Sequence, residues 1–428
     1  MAIDLLQVGW GGAARHRMDG EIRWNMSEDY GLRLGTPAFF ADPYPTFERM
    51  RSEDPVHWSP ALGRWHLTRY ADIDALLREP RWSANRVRLF LGSLPTETRK
   101  ELQPLEQALV NQMLFADPPD HTRLRSLVGK AFTPRVVERL RPRIAAIVNE
   151  LLDQVAATHR MDAIRDFAYP LPAIVICELL GVPSEEREQF KHWSSALAAF
   201  LGNHRRDPEI DRQALATGIE AADYFRITAD RLREQPRDDL LSLMVAAEEQ
   251  GDRLSVEELL ANSVLLLGAG HETTTNLIGN GLLALLRNSD QRRRLQNDLS
   301  LMPMAVEEFL RYESPVQVTS RGAPEDVEIG GKRIAKGSLV NFWIAAANRD
   351  PERFAEPNQL DVERQNNRHL AFGAGIHFCL GAPLARLEGQ IAFTTLLERM
   401  PNMKLATDTV EWQPNISFRG LTALSVTW

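Results

Sequence analysis

A chain of 428 residues with 44% apolar and 25% charged side chains has the composition of a globular protein, which excludes disordered, collagen-like and coiled-coil architectures. Fifty basic against 58 acidic side chains leave a net charge of −8, which argues against nucleic acid as the main partner. Two cysteines, Cys177 and Cys379, are too few to staple a secreted scaffold and fit a reducing, cytoplasmic compartment. The N-terminal stretch has no signal-peptide core, and nowhere do about 20 apolar residues run together to span a membrane. Without internal repeats or linkers the chain reads as one domain, 1–428, whose first segment, 1–40, is expected to be partly disordered.

In chain order, a short strand pair is predicted at Val56–Trp58 and Trp65–Thr68. Val136 to Val155 repeats apolar residues at three- and four-residue spacing, interrupted by Pro142, and reads as helix. Cys177 lies in the apolar run LPAIVICELLG and reads as core. Ser255-Val256-Glu257-Glu258 is a capping box that opens a helix to about Leu286. At 1.5 Å per residue that helix is roughly 48 Å long, enough to cross the molecule. A hairpin follows, Asp326–Ile329 and Lys332–Ile334 around Gly330-Gly331, then a strand at Ser338–Ile344. The fold class is mainly α with minor β.

Two segments carry chemistry. Gly268-Ala269-Gly270-His271-Glu272-Thr273-Thr274-Thr275 interrupts the long helix with small and hydroxyl residues, each glycine costing about 1 kcal/mol relative to alanine. Small residues there admit either a neighbouring helix or a ligand close to the backbone. A zinc-protease reading of His271-Glu272 fails because Thr275 stands where the second histidine is needed. The second segment is His369 to Glu388, in which glycines surround Cys379 at the start of an Ala/Leu/Arg-rich helix. A thiolate at a helix mouth is stabilised by the helix dipole and free amides. One such thiolate suits an iron porphyrin, whereas structural zinc or iron–sulfur sites need more ligands.

Phe-Gly-x-Gly-x-His-x-Cys-x-Gly at 372–381 resembles the haem-binding signature of the cytochrome P-450 family, and Ala269-Gly270-His271-Glu272-Thr273 resembles its oxygen-activating helix. The resemblance runs from about Asp42 to Trp428, including Ala347-Asn348-Arg349-Asp350-Pro351. It implies the family's fold, a long central helix over haem b with small sheets, and Cys379 as axial iron ligand. Phe372, Gly373, Ala269 and Gly270 would lie against the haem. Thr273 would donate a hydrogen bond toward dioxygen, and Glu272 would feed protons. His271 would be a packed helix residue facing away from the haem. Asp117 to Arg125 resembles the helix that grips the haem propionates, so His121 and Arg125 are expected there, with Arg321 and His377 as the other partners. Glu308 and Arg311 match the family's Glu-x-x-Arg, with Arg364 as their downstream partner in a structural role.

The same resemblance implies a monooxygenase that inserts one atom of dioxygen into a hydrophobic small molecule. The closest pattern is that of soluble bacterial members acting as monomers, with electrons drawn from NAD(P)H through a separate ferredoxin and its reductase. Lys130, Arg135 and Arg386 are candidate ferredoxin contacts. The substrate pocket is expected around Phe90, Leu91, Phe200, Leu265, Gly268, Ala269, Gln317, Val318, Ile416 and Ser417, with Arg86, Arg88 and Gln317 available to anchor a carboxylate or carbonyl. A peroxide-driven enzyme and a non-catalytic haem sensor are the alternatives; the Glu272-Thr273 pair speaks against both.

Overall fold

The computed structural model describes residues 29–92, 94–202, 207–249 and 254–428, with the side chains of Phe90, Ala131 and Glu249 outside that set. Most of the 1–40 segment, and the pocket expectation for the Phe90 side chain, therefore lie outside the described residues. Among the described residues helices dominate, and no helix is long and apolar enough to cross a membrane.

The strands are β1 (Val56–Ser59), β2 (Arg64–Leu67), β3 (Arg160–Asp162), β4 (Thr319–Gly322), β5 (Val327–Ile329), β6 (Lys332–Ile334), β7 (Leu339–Phe342), β8 (Lys404–Leu405) and β9 (Ser425–Thr427). β1, β2, β7 and β4 form one sheet in that order, antiparallel except for the parallel β2–β7 pair. β3, β9 and β8 form a second. β5 and β6 make the expected hairpin, closed by Gly330 and Gly331 at φ 56° and 75°, where only glycine turns without strain. The strand expected at 338–344 is shorter, because the chain turns at Trp343 into the helix Ile344–Ala347.

The helix expected over 136–155 is two helices, Pro134–Arg139 and Arg141–Ala156. Pro142 has no N–H to donate and sits in the first turn of the second helix, where that donor would be unpaired anyway. The central helix runs Val256–Arg287. Ser255 Oγ accepts from Glu258 N at 3.1 Å while Glu258 Oε2 accepts from Ser255 N at 2.9 Å. It is buried on nearly every side, packed against the helices Pro170–Leu180, Arg187–Gly202, Met302–Tyr312 and Ala382–Arg399. That burial explains a sequence apolar well beyond one stripe: the helix is a spine, not a surface element. Cys177 is buried in the Pro170–Leu180 helix, as expected, and burial pushes its thiol up to about 12.

Candidate active site

The loop 372–381 is shaped by its glycines. Gly373 and Gly375 take φ 69° and 68°, and a side chain at Gly375 would collide with the Leu77 carbonyl at 2.3 Å. These turns bring Cys379 N to Phe372 O at 2.8 Å and leave the sulfur at the start of the helix Ala382–Arg399. Burial pushes the Cys379 thiol up, while the amides of Gly381 and Ala382 and the Arg125 charge pull it back.

The loop is tied to the core through a buried network. Glu308 and Arg311, both fully buried, pair through Arg311 Nη2 and Nε, each at 2.7 Å from a carboxylate oxygen. Arg364 Nε reaches the same carboxylate at 3.1 Å, and Asn367 Nδ2 adds a fourth donor group. Arg311 Nη1 donates to the Asn348 carbonyl at 2.9 Å, and Asn348 Oδ1 accepts from Leu370 N at 2.7 Å, two residues before Phe372. Asn348 is thus the link between the ion pair and the cysteine loop. Glu307, next to Glu308, accepts from His369 Nε2 and from Arg386; burial alone would raise its carboxyl, but these partners hold it at about 2. Ala371 N donates to His369 Nδ1, which fixes the proton on Nε2. Arg386 is committed to this pair and to the face of Phe372, whereas Lys130 and Arg135 are exposed.

Cys379 and the central helix meet in one internal cavity of about 390 Å³, lined mostly by apolar side chains. Leu265, Gly268, Ala269, Gly270, Glu272 and Thr273 contribute from the helix; Phe372, Gly373, His377 and Cys379 contribute from the loop. Thr273 Oγ1 donates to the Ala269 carbonyl at 3.3 Å, a long bond that leaves the hydroxyl available to a better acceptor. Burial raises the Glu272 carboxyl, with the charge of Lys191 acting against it. Gly270 has a second reason to be small: a side chain there would meet Ile176 at 2.6 Å. His271 is buried and faces away from the cavity lining. Its Nδ1 donates to the Leu267 carbonyl, its Nε2 accepts from Ser194, and burial lowers it to about 4, so it is neutral.

Four expected propionate partners converge at one edge of the cavity. His121 and His377 lie with ring centroids 4.0 Å apart, and Arg125 and Arg321 also line the space. Burial, then Arg321, His121, Arg86 and Arg125, force His377 down to about 2, the mark of positive charge gathered at this edge. Val318 and Ser417 line the cavity as well. Leu91, Phe200, Gln317 and Ile416 do not. Leu91 and Phe200 pack together with Phe115, and Ile416 packs near Trp343. Gln317 spends its side-chain amide on the Ser314 carbonyl and its backbone on Ser417. Sequence reasoning missed Glu388, a buried carboxyl at the cavity whose Oε2 has no partner among the described residues. The signal was available, since Glu388 falls on the apolar stripe of Leu384 and Ile391.

A long buried helix and a cysteine loop facing one apolar cavity, edged by a cluster of basic side chains, form the architecture of a haem-thiolate oxidoreductase. The Cytochrome P450 family model matches residues 184–415. The vitamin D(3) 25-hydroxylase of Pseudonocardia autotrophica is 43% identical over 94% of this chain and 97% of its own. The cytochrome P450 monooxygenase PikC of Streptomyces venezuelae is 44% identical over 91% and 92%. The solved structure of CYP109E1 from Bacillus megaterium with testosterone superposes at a TM-score of 0.85, with 36% identity, covering 92% of this chain and 99% of that one. The chain belongs to the cytochrome P450 family and is an oxidoreductase of its monooxygenase type. That family uses haem with a cysteine thiolate. The donor set fits: one sulfur at a helix mouth in the cavity, and at its edge Arg125, Arg321, His121 and His377, donors suited to the two haem carboxylates.

Proposed function

We propose that this protein inserts one atom of dioxygen into a hydrophobic small molecule, using electrons that a ferredoxin and its reductase bring from NAD(P)H in the cytoplasm. The observation that carries the reading is the meeting of Cys379 and the Glu272-Thr273 pair on one apolar cavity edged by His121, Arg125, Arg321 and His377. Cys379 would hold the iron, and the four basic residues would hold the propionates. When bound, the haem supplies the capacity to activate dioxygen and to accept electrons one at a time. Metal coordination would keep the Cys379 sulfur deprotonated against the desolvation that raises its thiol. The Thr273 hydroxyl would turn from the Ala269 carbonyl to donate into the cavity, and Glu272, its carboxyl raised by burial, would hold the proton that reloads it. Leu265, Val318, Leu197 and Leu201 would exclude bulk water and hold an apolar substrate. The relative that hydroxylates vitamin D(3) and the neighbour that holds testosterone support a hydrophobic substrate class.

The test is titration of haem-loaded protein with steroids, terpenoids, macrolides and fatty acids, followed by turnover of the best binder under isotopically labelled dioxygen. A high-spin absorption shift and one labelled oxygen atom in the product, dependent on ferredoxin and reductase, are expected. Product formed from peroxide but never from ferredoxin would overturn the electron route.

A further inference from the structure

Arg86 was a candidate substrate anchor in the sequence, and the fold places it in the cavity lining close to Arg321. The residues just before it are pinned to β4 by two backbone bonds, Ser83 N to Gly322 O at 3.1 Å and Gly322 N to Ser83 O at 2.9 Å. This bridge sets the helix Arg86–Gly92 beside Arg321, the neighbour of Gly322 in the strand. The carboxylate of Asp117 accepts from Ser83 Oγ at 2.5 Å and Ala84 N at 2.7 Å, and its charge acts on Arg321 and His121 and not on Arg86. The guanidinium instead lies over the ring of Phe115, 4.6 Å from its centroid, and lines the cavity. Its Nη1 is buried without a hydrogen-bond partner among the described residues. Burial, then the charge of Arg321, depress Arg86 to about 9, and among the described residues no carboxylate pairs with it. Arg88, on the same helix, is exposed.

An unpaired, buried guanidinium is costly, and an anion delivered to it gains a charge-assisted, geometrically directed bond. Resting on the haem reading above, we propose that Arg86 is a fifth side chain holding the haem carboxylates, reaching them alongside Arg321 and His377, and that it fastens the Arg86–Gly92 helix to the cofactor. A substrate carboxylate is disfavoured as the anion because Arg86 lies among the cations at the propionate edge. There the haem's own two carboxylates would already stand.

The test compares haem-loaded wild type with Arg86→Gln, Arg86→Lys and Arg88→Gln, the fold of each checked by circular dichroism. Haem transfer to excess apomyoglobin and the ferric/ferrous reduction potential are measured without substrate. Arg86→Gln should release haem severalfold faster and show a more negative potential, because a cation near the iron favours the reduced state. Arg86→Lys should recover most of the potential, and Arg88→Gln should match wild type. Wild-type values for haem release and potential in Arg86→Gln would overturn the proposal. The same values with lost binding of carboxylate-bearing ligands would return Arg86 to substrate anchoring. Failure of the wild type itself to bind haem would overturn the underlying reading, a result distinguishable from either.

Discussion

In the proposed mechanism Thr273 and Glu272 carry different parts of one task, and their variants should fail differently. Thr273→Ala leaves the cavity and its cations intact, so reductant consumption should continue while most of it ends as peroxide; the ratio of product to peroxide per NAD(P)H measures this. Glu272→Gln removes the acid but keeps its shape. Turnover should fall about 100-fold with little change in substrate affinity, as expected for a lost proton donor. Gly270 is held by packing as much as by any cofactor, since Ile176 occupies the place of its missing side chain. Gly270→Ala should destabilise the protein by about 1–3 kcal/mol through forced displacement of Ile176, measured by chemical unfolding.

At the scale of elements, the cysteine loop depends on a remote ion pair. Glu308 neutralises Arg311 and Arg364 at once, and the chain from Arg311 through Asn348 to Leu370 transmits that order to Phe372 and Cys379. Removing the acid leaves two guanidinium groups without their carboxylate. Glu308→Ala should therefore cost about 3–5 kcal/mol and reduce haem occupancy, the second effect visible as a lower ratio of haem to protein absorbance. The central helix is less fragile at its end. Ser255→Ala removes one half of the capping box and should cost only about 1 kcal/mol, without change in the haem spectrum.

For the whole molecule, Glu388 sets a pH dependence of stability. Burial raises its carboxyl well above the ordinary 4.5, so the folded state holds this proton where the unfolded chain has lost it. Stability contributed by the protonated form is therefore present below pH 4.5 and is lost as pH rises toward the folded value. Glu388→Gln should be the more stable protein at neutral pH, and its advantage over wild type should shrink as pH falls toward 4.5. Unfolding curves of the two haem-loaded proteins across that range check the sign: an advantage that grows on acidification would refute it.

The sequence by itself determined what depends on local chemistry. The capping box, the glycine hairpin, the fragment around Cys379 and the acid–alcohol pair were legible because spacing along the chain sets them. Pro142 was legible as an interruption, though its consequence, two helices in place of one, needed the local backbone geometry. Tertiary structure decided which residues meet. Leu91 and Ile416 turned into separate apolar clusters, Asn348 joined the ion pair to the cysteine loop, and Arg86 came to Arg321 from more than two hundred positions earlier. No periodicity along one chain encodes such pairings. They follow from which faces remain to be buried after helices and sheets have packed, and from which buried charges are left to find a partner.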